Sequence, residues 1–255
     1  MKHLALAVAA LLAAAPHGVR AGEITLIAPG GIRAALDALV PSFQQKTGNT
    51  VTMTFASGGG TRDQVVRGAA YDVAILEPPL DAVIASGHVV AKSATPLASA
   101  AVGVALQPGR PKPRIATRED LRFLFLRANG ISEPDAAHGA AAAESFAATL
   151  EKLGLAERVK PHLHVATNGR EAMAMLARGE VDVGVTFVSE MVGMPGIEIV
   201  GALPAEFSAR TRYIAFVSTT AHDPDAAQAL VAHLGAAAAA AAYKTSGMEP
   251  AHPGK

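Results

Sequence analysis

Ser57-Gly58-Gly59-Gly60-Thr61 is the segment of this chain whose residue types and order most readily do chemistry. Three residues without side chains, set where a helix begins, let several backbone N–H groups point at one small anion, and the helix dipole adds partial positive charge there. The bland alternative is a tight turn in which Ser57 or Thr61 caps the helix. A nucleotide loop would end in Gly-Lys-Ser/Thr and a dinucleotide fingerprint would read Gly-x-Gly-x-x-Gly; the segment does neither. Nor is Ser57 set in a hydrolase elbow, which needs glycine two residues before the serine, where Phe55 stands.

Other candidates share the theme of a small anion. Gly30-Gly31 ends an apolar run, and Asn168-Gly169 precedes Arg170 as Gly60-Thr61 precedes Arg62. Each arginine reads either as an anion clamp or as a solvated or salt-bridged side chain. His138 with Gly139 lies in the turn before a long helix, where a ring N–H could reach an anion; an exposed loop histidine is the alternative. His162 and His164 would share a strand face, but two histidines without a third ligand do not make a metal site. With no Cys in the chain, disulfides, thiolate metal sites and cysteine nucleophiles are excluded. The expectation is no metal and no cofactor.

Charge and composition agree. The 22 Lys and Arg balance the 22 Asp and Glu, so no field of one sign draws nucleic acid or an anionic membrane. Aromatic residues are 4% with no Trp, too few for stacking platforms or aromatic cages. Met1, Lys2 and His3 followed by an apolar run from Leu4 to Ala15 and by Val19-Arg20-Ala21 read as a secretory signal peptide cleaved after Ala21. Twelve residues rise only about 18 Å as a helix, short of a ~30 Å hydrocarbon core, so no stable membrane insertion is expected.

The elements that must hold these residues alternate. Ile24 to Ala28 reads as a strand, and apolar residues at 32, 35, 36, 39, 40 and 43 as one face of a helix. Val51 to Ala56 and the helix opened by Gly58–Gly60 repeat the unit, and Asp72 to Leu76 with a helix from Leu80 to Ser86 repeats it again. Three such units in series imply a parallel, doubly wound sheet, which binds ligands beyond the carboxyl ends of its strands. A second α/β unit runs from Ala101 through strands at 130–132, 163–165 and 181–187, with helices at 118–127, 140–153 and 171–178. Strands at 197–200 and 212–217 follow, then one alanine-rich helix from Asp225 to Tyr243.

In order and spacing, Ile27-Ala28-Pro29-Gly30-Gly31, Phe55-Ala56-Ser57-Gly58-Gly59-Gly60, Arg67-Gly68-Ala69 and Asp72-Val73 resemble the first domain of molybdate-binding-type periplasmic solute receptors of ABC importers. Ile131-Ser132-Glu133-Pro134, Leu150 to Gly154, Ala177 to Gly184 and Gly247-Met248-Glu249-Pro250 resemble the remainder, so the likeness spans nearly all of residues 23–250. The resemblance implies a type II periplasmic binding fold: two doubly wound α/β domains, 22–98 plus 201–255 and 99–200, joined by two crossing strands near 97–101 and 198–204 and closing like a hinge. It implies a periplasmic monomer that takes up a small anion and passes it to an importer permease without performing chemistry. A ligand sensor for a membrane partner is the alternative within the same fold. A secreted enzyme is the other, and it lacks a nucleophile–base pair, a metal cluster and a cofactor motif.

Carried over residue by residue, the family's two molybdate-binding serines fall on Gly31 and Gly58, its second-domain backbone contacts near Ala142 and Gly169, and its binding tyrosine on Phe187. Three side-chain donors are therefore missing, worth about 4–9 kcal/mol toward a charged ligand. Ser57, Thr61, Asn168 and Arg170 could substitute. The space opened at Gly31 and Gly58 makes a small organic carboxylate a competitor to a tetrahedral oxyanion.

Overall fold

The computed structural model describes residues 22–252. The proposed cleavage site after Ala21 lies outside them. Two sheets organise the chain. The first contains β1 (Glu23–Pro29), β2 (Thr50–Ala56), β3 (Val73–Leu76), β4 (Thr95–Ala100), β10 (Thr211–Val217) and β11 (Glu249–Pro250), in the order β11-β4-β10-β3-β1-β2. The second contains β5 (Val102–Leu106), β6 (Ile131–Pro134), β7 (Leu163–Ala166), β8 (Val183–Phe187) and β9 (Glu198–Ala202), in the order β7-β6-β8-β5-β9. The chain passes from the first sheet to the second at Ala101 and returns through residues 203–210.

Both sheets are mixed. β1 pairs in parallel with β2 and β3, as serial βα units require, whereas β10 runs antiparallel to β3 and β4. In the second sheet β6 pairs in parallel with β7 and β8, and β5 runs antiparallel to β8 and β9. β5 and β10 are the strands that enter each sheet from the other, so they arrive against the direction of the βα units. Helix α1 (Arg33–Thr47) buries Ala35, Leu36, Leu39, Val40 and Phe43, the periodic face seen in the sequence. In the second unit α4 (Arg118–Arg127) and α5 (Ala141–Leu153) meet through Phe125 and Phe146, whose ring centroids are 5.1 Å apart. Each such ring removed from water contributes about 2–3 kcal/mol.

β4 carries Pro96 as its second residue; β11 pairs only with Ala98 and Ser99, so the missing N–H of Pro96 breaks no bond to that neighbour. One element differs from the sequence expectation. The alanine-rich segment is not one helix. It is α9 (Pro224–Gly235) and α10 (Ala240–Thr245), bent by 55° across an extended Ala236 and a short 3-10 turn. A β-carbon at Gly235 would stand 2.6 Å from Thr95 Cγ2, and the Tyr243 hydroxyl donates to the Leu234 carbonyl at 3.0 Å. Packing onto β4 therefore decides the path, over alanine's helix propensity. Among the described residues no single helix is long and apolar enough to cross a membrane.

Candidate functional site

The carboxyl ends of β1, β2 and β3 meet those of β6, β7 and β8 across a cleft. Three helices begin at this cleft: α2 (Gly58–Val66), α5 and α7 (Gly169–Ala177). Their first residues, Gly58, Ala141 with Ala142, and Gly169, line a cavity of about 50 Å³ together with Gly30, Gly31, Ser57, Asn168 and Phe187. First-turn N–H groups have no acceptor inside their own helix, so three positive helix ends face one small space. α5 has no side-chain cap of its own.

The glycines serve as clearance as well. A β-carbon at Gly31 would lie 2.2 Å from Tyr213 Oη, one at Gly58 1.9 Å from Glu77 Oε2, and one at Gly169 2.1 Å from Glu190 Oε2. Two of these three positions are where the resemblance puts oxyanion-binding serines. The volume they give up is filled by a phenol and a carboxyl, and Gly169 makes the same room for a second carboxyl. Glu77 follows β3, Glu190 sits in the short helix α8 (Val188–Met191) that follows β8, and Tyr213 is on β10 with its ring edge-on to Phe187. None of the three was singled out in the sequence, although Glu77 and Glu190 both fall just past a buried apolar strand on the ligand-binding edge.

Their electrostatics are unusual. Glu77 is 1% exposed, and its Oε2 and the Tyr213 hydroxyl are buried without a hydrogen-bond partner. Burial pushes the Glu77 carboxyl up to about 7. The nearby Tyr213 phenol, outside hydrogen-bond geometry, and the Arg62 charge hold that rise in check, while Glu190 adds to it. Burial likewise raises Glu190, against the pull of the Thr186 hydroxyl, which donates to its Oε2, and of Arg170. Tyr213 is raised well above a free phenol by burial and by both glutamates.

The remaining sequence candidates divide. Ser57 caps α2, accepting from Gly60 N–H at 3.0 Å, and its hydroxyl also donates to the His138 carbonyl across the cleft. Gly59 N–H donates to the Gly139 carbonyl at 2.9 Å, and Thr61 is fully buried with both its N–H and its hydroxyl bonded to the Ser57 carbonyl. The expected fan of N–H groups from Gly58 to Gly60 is thus a correction: Gly59 and Gly60 are committed within the protein, leaving Gly58 at the cavity. The ring of His138 is held by Asp135 at 2.5 Å and exposed, so it is the residue's carbonyl and not its imidazole that reaches the cleft. Arg62 donates to the carbonyls of Glu77 and Pro78 at 3.2 Å each. Arg170 lines an outer groove of about 720 Å³ with Arg33, which lies 3.7 Å over the Phe55 ring. Neither Arg33 nor Arg170 forms an ion pair among the described residues. Among those residues no group of three or more His, Asp or Glu is placed to hold a metal ion.

The fit of Glu77 into the space left by Gly58 predicts a coupling between the two positions. Gly58→Ser alone should destabilise the protein by about 2 kcal/mol, since the new side chain displaces a buried carboxyl, and Glu77→Ala in the same chain should recover most of that loss. Additive losses in chemical denaturation would show that Gly58 is not making room for Glu77.

Two α/β units with a ligand-sized cleft between their strand ends define the type II periplasmic binding fold. Residues 24–249 match the family of bacterial extracellular solute-binding proteins, and the chain belongs to it. It is 29% identical over 256 residues to an aconitate isomerase from Pseudomonas sp, covering 97% of this chain and 94% of that one. It is 25% identical to the molybdate-binding protein ModA of Escherichia coli (strain K12), covering 75% and 76%. Its fold is that of the periplasmic molybdate-binding protein of Azotobacter vinelandii, with a TM-score of 0.72 at 18% identity over 88% and 98% of the two chains.

Proposed function

We propose that this protein captures a small organic acid with two or more carboxylates in the interdomain cleft and delivers it to the permease of an ABC importer, acting as a periplasmic monomer. The observation that carries the reading is the placement of Glu77, Glu190 and Tyr213 oxygens at the positions of Gly58, Gly169 and Gly31. A tetrahedral dianion pressed against these two carboxyl groups meets the charge of Glu77, once ionised, where the oxyanion geometry needs a hydroxyl donor. An organic acid separates the two demands. Its ionised carboxylates lie on the helix ends and on Arg33 and Arg170 in the groove, while a carbon or a protonated group fills the inner cavity. The cavity alone is too small for such a ligand, but it shares Gly30, Ser57, Asn168 and Glu190 with the groove, so one molecule can span both. A relative of nearly the same length that is named for an unsaturated tricarboxylic acid supports the same class. For this chain the periplasmic address rests on the sequence of residues 1–21, and two-domain closure on the sheet-to-sheet crossings.

A melting-temperature and calorimetric panel of molybdate, sulfate, succinate, citrate and aconitate tests this. Ligand present at 100 times Kd stabilises the folded state by about 2.7 kcal/mol, several degrees for a chain of this size. The tricarboxylates are expected to give that shift and the oxyanions none at millimolar concentration; the reverse ranking would overturn the reading. Arg170→Ala should weaken the bound acid about tenfold to thirtyfold, as the loss of a charge-assisted hydrogen bond does.

A further inference from the structure

We propose that the cleft also moves a proton on its bound acid, with Glu77 as the base that carries a hydrogen from the methylene beside a carbon–carbon double bond to the far carbon of that double bond, and Glu190 as the neutral acid that hydrogen-bonds the ligand's carboxylate. This rests on the organic-acid reading above. The expectation that the chain does no chemistry came from the absence of a nucleophile–base pair, a metal cluster and a cofactor motif; buried carboxyls were not weighed in it.

The geometry supplies what a carbon acid needs. Glu77 Oε2 is buried, has no partner within the protein and lines the inner cavity beside Gly58. An unpartnered buried carboxyl oxygen costs stability, and it persists where a function uses it. Glu190 accepts the Thr186 hydroxyl on Oε2, which leaves Oε1 on the side of Gly30, where a β-carbon would stand 3.4 Å from it. Pro29, Pro134, Ala142 and Phe187 make the rest of the wall apolar. Two carboxyls sharing such a pocket do not both ionise, so one serves as base and the other as acid. The value near 7 for Glu77 matches a base working at neutral pH.

The step balances on the protein's own groups. Ionised Glu77 takes a proton from the methylene next to the double bond: the C–H bond breaks, an O–H bond forms, and the electron pair spreads over the three allylic carbons into the attached carboxylate. The double bond moves by one position as Glu77 returns the proton to the far carbon. Glu190 keeps its proton throughout and offers it to the carboxylate on which charge accumulates. The protein ends as it began, and no oxidant, reductant or co-reactant is consumed.

The test is proton NMR of aconitic acid incubated with the purified protein in deuterium oxide, beside calorimetric titration of the same samples. Deuterium should enter the methylene and vinyl positions, and the other geometric isomer should grow in with it. In Glu77→Gln, exchange should fall at least a hundredfold while affinity changes by less than tenfold, a split that a merely structural role would not give; Glu77→Asp should keep a measurable part of the exchange. Aconitate bound by the wild type without exchange overturns the proposal and leaves the capture reading standing. Exchange unchanged in Glu77→Gln also overturns it. Absence of aconitate binding overturns both.

Discussion

Between pH 5 and pH 8 the ligand-free protein is expected to lose stability, and Glu77→Gln to remove about 3 kcal/mol of that loss. A glutamate titrates near 4.3 in the unfolded chain and Glu77 at about 7 in the fold. Below the lower value both states hold the proton and the group is neutral in each. As pH rises from there the unfolded chain releases its proton and the folded protein does not, so unfolding becomes easier by about 1.4 kcal/mol per pH unit until Glu77 itself ionises. Its contribution is therefore fully present in acid and gone above pH 7. Glu133 on β6, pushed up to about 7 by burial and by Asp135, steepens the wild-type curve in the same window. Asp72 works the other way and elsewhere. Burial opposes its ionisation, but hydrogen bonds from Thr25 and His222 hold its carboxyl below the ordinary value, so its support is lost only on acidification below pH 4. The measurement is urea unfolding at several pH values for wild type and Glu77→Gln. The two should differ little at pH 4.5 and by about 3 kcal/mol, with the variant more stable, at pH 8. Parallel curves would mean that Glu77 titrates as an ordinary surface carboxylate.

The same group marks where the sequence stopped being legible. β1, α1, β2 and α2 could be read because each is local: an apolar run of the right period, then glycine or a capping serine. The cleft could be read too, because serial βα units place their carboxyl ends together. What fills the cleft could not. Glu77 stands in Leu76-Glu77-Pro78-Pro79 and Glu190 in Val188-Ser189-Glu190-Met191, and neither spacing distinguishes a buried carboxyl from a solvated one. Their role is set by where Gly58 and Gly169 lie, 19 and 21 residues away in the chain. The glycines read as donors of N–H are partly that and partly empty volume, a distinction that only tertiary packing makes. The break at Ala236 has the same origin, since Gly235 meets Thr95, 140 residues earlier in the chain.

Gly59→Val should weaken binding of the captured acid by at least a hundredfold while leaving the ligand-free fold nearly unchanged. The glycine does not face the cavity. A β-carbon there would stand 2.8 Å from Gly139 Cα on the opposing unit, closer than real β-carbons come, and the atom it meets is backbone, not the free end of a flexible side chain that could swing away. The contact is part of a seam in which Gly59 N–H meets the Gly139 carbonyl and the Ser57 hydroxyl meets the His138 carbonyl. Valine would force the rims apart, losing two neutral hydrogen bonds worth about 1 kcal/mol each and the helix-end geometry of Ala142 and Gly169 against Gly58. Within its own helix the substitution costs little, since Gly59 is in the first turn of α2 with no positive φ. If closure is the binding-competent state, raising its free energy by about 3 kcal/mol divides the apparent affinity by more than a hundred. Calorimetry gives the affinity, and small-angle scattering should show that wild type contracts on adding ligand whereas Gly59→Val does not. Equal affinity in the two proteins would place recognition within one unit and remove the seam from the mechanism.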